Sequence, residues 1–416
     1  MSRSPAHLRV YFMLTMGVML YFFANFQRVA IPGSIFNELQ SSLHVGAAYI
    51  TALGSMFMYI YAAGQLCAGL LADRYGGERV ISCGALLFCA GSVLFPFSQS
   101  LFMLYLCRFL VGMGASAIYL SLVKILAVRF PRKFPILLGF FLLWGYVGGV
   151  VATAPLVAIV RELSWRTAMA IFGIGAVVFY IFFVISRYAV RVPRVTEAPF
   201  SFRVFWELLK LKHNRHIILY SAFSFGTYYC IHTVIGKKFL EDFCRMSAST
   251  ASFYIMVVGI LAAVSAFCMA FVSRLCGGRR KIFLVISGGV AVATYGFILL
   301  ALFLDWRTAV VGFLLFPVAW FANQGTISVP TMKDSNKPEV MGAIVSLCNG
   351  SVYLMVALLG NATGMLLDLF APLRSGDIFI YSNKSYIAVF TLFFILSCGT
   401  FYNALKLPDT RGEGRR

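Results

Sequence analysis

The chain has 416 residues, 60% of them hydrophobic and only 12% charged, about half the charged share of an ordinary soluble domain. That balance excludes a soluble globular protein. Apolar runs of about 20 residues, the length a helix needs to cross a hydrocarbon core, recur nearly end to end and leave no room for an extramembrane domain. Their unbroken character excludes a transmembrane β-barrel, whose strands alternate in polarity.

The formal charge of +20 comes from 35 Lys and Arg against 15 Asp and Glu. In a soluble chain this would suggest nucleic acid, but no RNP, zinc-finger or basic-helix pattern accompanies it, so no nucleic-acid partner is expected. The ten cysteines lie mostly inside apolar runs without C-x-x-C or zinc spacing, and read as small packing residues. No metal and no cofactor is expected.

Hydropathy breaks at Gly, Pro and charge clusters predict twelve spans, near 10–31, 46–72, 79–97, 100–127, 135–160, 166–186, 216–236, 249–273, 282–304, 308–330, 341–367 and 385–405. The run from Val10 is too long for a signal peptide and is read as the first span. The amino-terminal segment and alternate loops hold 24 of the 35 Lys and Arg, and the opposite loops hold 8. The positive-inside rule then places both termini in the cytoplasm of an integral protein of the inner or plasma membrane. The three remaining cations, Arg28, Arg108 and Lys124, fall within spans.

Span one carries Asn25, Gln27 and Arg28, and a guanidinium inside a spanning helix marks a functional position by default. Arg108 in span four lies roughly 13 Å deep, taking nine residues at 1.5 Å each. Two readings stay open for it: a structural cation satisfied by carbonyls, or a role in coupling or substrate attraction. Lys124, near the cytoplasmic end of the same span, is expected to snorkel to the interface. The basic stretch 187–215 divides two halves, 1–186 and 216–416, and its Phe205, Trp206, Leu208, Leu209 and Leu211 among charges suggest a short helix at the headgroup level. Membrane lipid is therefore an expected partner.

The halves repeat weakly, as in transporters built from two related bundles. Ala72-Asp73-Arg74-Tyr75-Gly76-Gly77-Glu78-Arg79 returns as Val272-Ser273-Arg274-Leu275-Cys276-Gly277-Gly278-Arg279-Arg280, and Phe36-Asn37-Glu38-Leu39 parallels Phe239-Leu240-Glu241-Asp242. At the same offset the counterpart of Arg28 falls close to His232, after Tyr228 in span seven. Arg could hold a carboxylate or phosphate by two parallel hydrogen bonds, and His by a donor that titrates near neutrality. Tyr59, Trp144, Trp320, Asn323 and Asn349 are candidate lining residues, each equally open to a packing role.

The segment Gly69-Leu70-Leu71-Ala72-Asp73-Arg74-Tyr75-Gly76-Gly77-Glu78-Arg79 resembles the loop signature of the major facilitator superfamily, and Arg108 to Ser116 resembles that family's R-x-x-x-G-x-G element. The resemblance implies an all-α membrane fold of twelve helices in two pseudo-symmetric six-helix bundles. It also implies a latch role for Gly69, Asp73, Arg74, Gly76 and Arg79, in which Gly69 admits a close helix approach, Asp73 pairs across and Gly76 turns the chain. The repeat copy has Ser273 in place of Asp73 and lacks that carboxylate. Trp144-Gly145-Tyr146-Val147-Gly148-Gly149 lacks the Pro of the antiporter element of this family.

All fifteen carboxylates fall in loops or at helix ends, which argues against a proton-coupled pump built on a buried Asp or Glu and leaves His232 as the intramembrane proton carrier by elimination. No nucleophile set suggests an enzyme. Arg28-Val29-Ala30, Tyr59-Ile60-Tyr61 and Val123-Lys124, with the motifs above, are similar to amino-acid and nucleoside carriers of vacuole-dwelling bacteria and to lysosomal dipeptide carriers. These readings lead to a monomeric transporter of a small zwitterionic or anionic metabolite, an amino acid, short peptide or similar carboxylate, working by alternating access. An organophosphate or organic-anion exchanger is the alternative, though His232 stands where a second Arg is expected, and a non-transporting receptor of the same fold is another.

Overall fold

The computed structural model describes residues 5–130, 132–188, 202–276, 279–322, 325–337, 340–375 and 378–408. Each of the twelve expected spans falls on helix. The first is α1 (Pro5–Val29), which runs into a wider π turn over Ala30–Ser34 and is followed by the short α2 (Phe36–Leu43). Next come α3 (Ala47–Tyr75), α4 (Gly77–Leu94) and α5 (Leu101–Arg129). The fifth expected span is two helices, α6 (Phe134–Val151) and α7 (Ala154–Glu162), and α8 (Trp165–Tyr188) is the sixth.

After α9 (Phe202–Lys210), α10 (Lys212–Cys230) again ends in a π turn, Ile231–Ile235, followed by α11 (Gly236–Asp242). The chain continues through α12 (Ala248–Leu275) and α13 (Lys281–Phe303) to a 3-10 turn at Ala309–Leu314, then α14 (Leu315–Ala322) and α15 (Gly325–Ser335). Helices α16 (Met341–Asp368) and α17 (Asn383–Lys406) close it. Between them is a small antiparallel hairpin that the hydropathy pattern did not foretell, β1 (Leu373–Ser375) with β2 (Ile378–Ile380), in the register Leu373 opposite Ile380.

Among the described residues nine helices are long and apolar enough to cross a membrane, and α6 with α7, bent by 41°, makes a tenth. The bend follows from Pro155 near the start of α7, which has no N–H to donate and whose ring clashes with the preceding turn. The remaining two expected spans are helical but polar or interrupted: α10 opens on Lys212-His213-Asn214-Arg215-His216, and the tenth carries Pro330 inside α15.

The chain forms two compact units, one of residues Met1–Ile31 and Met56–Phe200, the other of Pro32–Ser55 and Ser201–Arg416. In the first, α4 and α5 approach through small residues. A Cβ added to Gly114 would stand 2.3 Å from the Gly84 carbonyl oxygen, and one added to Gly84 would stand 2.5 Å from Ala117 Cβ. In lipid such contacts replace the hydrophobic drive that brings helices together in water. In the second unit Leu208, Ile217, Tyr220, Leu284, Ile327 and Ile344 belong to one buried apolar cluster.

Candidate substrate site and latch

In the first unit the break at the end of α1 organises the buried cations. Ile31 is non-helical, with φ −119° and ψ 121°, and Pro32 has no N–H, so carbonyls of the last turn lose their intrahelical donors. Arg108, fully buried on α5, supplies donors there: Nη1 to the Gln27 carbonyl at 3.2 Å and Nη2 to that of Ile31 at 3.4 Å. Its guanidinium also lies 4.8 Å from the Phe57 ring centroid. Arg108 thereby meets carbonyls of the broken turn.

Arg28 is 4% exposed, with its guanidinium 4.3 Å from the centroid of Tyr61 and 5.8 Å from that of Phe57, both on α3. Stacking of this kind fixes the guanidinium plane. Gln27 beside it is buried, and neither atom of its side-chain amide has a hydrogen-bond partner among the described residues. Asn25 instead donates back to the Tyr21 carbonyl of its own helix at 3.0 Å. Trp144 of α6 is half-buried between Phe22 and Phe140, and Tyr59 is half-buried on α3.

In the second unit His232 sits in the π turn that follows α10, 7% exposed, and neither ring nitrogen has a hydrogen-bond partner among the described residues. Such widened turns recur at functional sites. The imidazole lies parallel to Tyr228 with centroids 5.9 Å apart, and Gly259 of α12 makes room for it, since a Cβ there would meet Nε2 at 2.8 Å. Phe225 bridges Tyr229 and Tyr353 of α16.

Two further expected lining residues, Trp320 and Asn349, lie in the second unit. Trp320 of α14 is half-buried against the apolar cluster of Ile217 and Ile344. Asn349 is half-buried on α16, and Asn323 lies outside the described residues.

The loop motif also departs from expectation in parts. Gly76 takes φ 85° and ψ 140°, a conformation glycine alone adopts cheaply, and so turns α3 into α4. Arg74 and Arg79 are exposed, and the side chain of Asp73 lies outside the described residues. Within its unit Gly69 shows no close approach among the described residues, where an added Cβ would meet Leu120 Cδ1 at 4.0 Å. The close approach belongs to Gly77, whose Cβ would stand 2.7 Å from the Ser121 carbonyl oxygen. Lys124 does not snorkel; its Nζ donates to the Ala72 carbonyl at 3.0 Å, completing the C-terminal turn of α3.

Glu78, which sequence reasoning passed over, accepts hydrogen bonds from Arg129 Nε and Nη2 at 3.0 and 2.6 Å. A second missed feature is a buried ionic cluster in the other unit. Lys237, 3% exposed, donates to the Ser34 carbonyl at 2.9 Å and lies 3.5 Å from Glu241, while Lys238 meets Asp242 at 2.9 Å. Asn37 donates to Glu241 at 2.7 Å, and Asp368 accepts from the backbone N–H groups of Ala47 and Ala48, capping α3. The i,i+4 pattern Lys-Lys-x-x-Glu-Asp over 237–242 was the available signal. Its repeat partner Asn37 is one of the residues it binds.

Apolar spanning helices with cations buried among them define a polytopic helical membrane protein. A family model described as the Major Facilitator Superfamily matches residues 17–360. The chain belongs to the Major Facilitator Superfamily, a family of membrane transporters rather than enzymes, and has its fold of twelve helices in two six-helix bundles.

Among curated relatives it is 32% identical over 183 residues to an uncharacterized transporter, YybO, of Bacillus subtilis (44% of this chain, 41% of the relative). It is 27% identical over 178 residues to the probable sulfoacetate transporter SauU of Cupriavidus necator (41% of each), and 33% identical over 101 residues to human monocarboxylate transporter 2 (24% and 21%). The matched stretches thus span about two fifths or less of the length of these relatives.

A bacterial homologue of the human lysosomal transporter Spinster, described as inward-facing and unoccupied, superposes with a TM-score of 0.76 at 17% identity over 100% of both chains. A D-xylose-proton symporter does so at 0.74 and 13%, over 97% of this chain and 99% of that one. At these identities the likeness is one of fold.

Proposed function

We propose that the chain is a secondary or facilitative transporter that moves a small zwitterionic or anionic metabolite, an amino acid, short peptide or similar carboxylate, by alternating access. The observation that carries this reading is Arg28, buried in a spanning helix and stacked on Tyr61, beside a Gln27 amide that has no hydrogen-bond partner among the described residues. A buried guanidinium held by an aromatic face is built for a planar anion. Every described carboxylate stands in a loop or near a helix end, so none in mid-span competes with an anionic cargo. The relatives' names, which include sulfoacetate, monocarboxylates and sialic acid, point the same way.

In this reading Arg28 and Gln27 are cargo contacts of the first unit, and His232 and Tyr228 are candidate cargo contacts of the second unit taken by itself. The loop at Asp73, Arg74, Gly76 and Arg79 gates the cycle. The protein works as a monomer in the inner or plasma membrane with both termini in the cytoplasm, as the skew of Lys and Arg between alternate loops supports.

The test begins with ligand-induced thermal stabilisation across amino acids, dipeptides, short monocarboxylates, nucleosides and phosphate esters, since binding to the folded state raises its stability. Uptake of the hits into proteoliposomes follows. Arg28→Ala should abolish uptake of anionic and zwitterionic solutes, and unchanged uptake refutes the site. Stabilisation by phosphate esters alone would favour the organophosphate-exchanger alternative, and binding without flux a receptor.

A further inference from the structure

The geometry points to α9 as a docking surface for anionic lipid headgroups at the membrane face where α10 begins. The helix is short and two-sided. Leu208 is buried in the apolar cluster with Ile217 and Tyr220, and Val204 and Leu209 pack partly against the same cluster, so one side is fixed to the protein. On the other side Trp206 is 66% exposed, with Arg203 three residues before it and Lys210 four residues after it, both exposed. At helical spacing these three share one face.

The orientation of this face is held from behind. Asn214 Nδ2 donates to the Leu208 carbonyl at 3.2 Å and to Asn336 Oδ1 at 2.9 Å, and Asn336 returns a bond to Asn214 at 2.8 Å. The junction between α9 and α10 is thereby tied to the end of α15.

The chemistry of the free face selects its occupant. Arg203, Lys210, Lys212 and Arg215 are all exposed, and Glu207, which pairs with Arg203 at 3.0 Å, is the single carboxylate among the described residues 202–215. Three cations are therefore left over, all at the mouth of a helix that enters the membrane directly afterwards. An exposed indole beside surplus cations matches a phospholipid interface, where the ring sits at headgroup level and the cations meet phosphate. A soluble acidic partner would satisfy the charges but would leave Trp206 and the 44%-exposed Leu211 without apolar cover.

The test uses the full chain in nanodiscs of phosphatidylcholine doped with brominated phosphatidylglycerol or, at equal mole fraction, brominated phosphatidylcholine. Quenching assigned to Trp206 is the difference between the wild type and Trp206→Phe. The expected result is quenching at a lower mole fraction of the glycerol lipid than of the choline lipid. That preference should fall by about fivefold per cation removed in K210Q/K212Q/R215Q, and should fade as salt is raised.

The charge-conserving K210R/K212R/R215K should keep the preference, which separates loss of charge from loss of fold. Equal quenching by the two lipids overturns anionic recognition. Absence of any Trp206-dependent quenching overturns membrane contact altogether, and a preference surviving in the glutamine variant overturns the assignment to these cations.

Discussion

Glu78 in the first turn of α4 is held by Arg129, the last residue of α5, through two hydrogen bonds to one carboxylate oxygen. About two hundred positions later the repeat makes the same connection with the signs exchanged: Arg280, which precedes α13, is paired with Asp334 near the end of α15. Each unit therefore ties the start of its third span to the end of its fourth by an ion pair, and what the repeat preserves is the attraction and not the identity of either residue.

Because Glu78 is almost fully buried and Arg129 nearly so, removing one partner strands the other. Glu78→Gln and Arg129→Gln should each cost about 3 kcal/mol, read as a lowered melting temperature in detergent. The exchange E78R/R129E, which copies the polarity found in the other unit, should recover part of that loss. Additive losses in the exchanged protein would show that the pair contributes nothing as a pair.

Arg28→Lys is expected to fail as a conservative replacement. Lysine keeps the charge but loses both the planar stack on Tyr61 and the two-pronged edge. Half-saturation for a carboxylate cargo should rise by about 10- to 100-fold, the equivalent of one charge-assisted hydrogen bond. Uptake kinetics in proteoliposomes measure this, and an unchanged half-saturation would mean that Arg28 contributes charge alone or does not touch the cargo.

The latch role of Asp73 comes from the resemblance of its loop, and it separates binding from cycling. Asp73→Asn should slow uptake by about tenfold, as the loss of a coupling of roughly 1.4 kcal/mol would, while ligand-induced thermal stabilisation stays within twofold. Equal losses in both would place Asp73 in the binding machinery or in folding instead.

Hydropathy made the twelve spans legible because a bilayer imposes one requirement on every crossing segment, whereas the bend between α6 and α7 at Pro155 was not foreseen. The two π turns were less visible. Pro32-Gly33 hints at the first, but Ile231–Ile235 contains neither Pro nor Gly and is a widened turn only through its surroundings. The site was half legible: a buried Arg28 and His232 stand out in any apolar run, whereas the pairing of Glu78 with Arg129 joins residues 51 apart that local pattern cannot connect.

Lys124 was misjudged because a long side chain near a helix end looks alike whether it reaches water or a neighbouring carbonyl.

The stretch Pro32–Ser55 belongs by covalent order to the first half and by packing to the second unit, where Lys237, Asn37 and Asp368 secure it. A gene cut within 189–201 would therefore yield two fragments of which the later one lacks a piece of its own interior. Expressed apart, that fragment should be prone to degradation. Supplied together, the pair should restore that fragment, since α2 and the start of α3 then return to complete its interior.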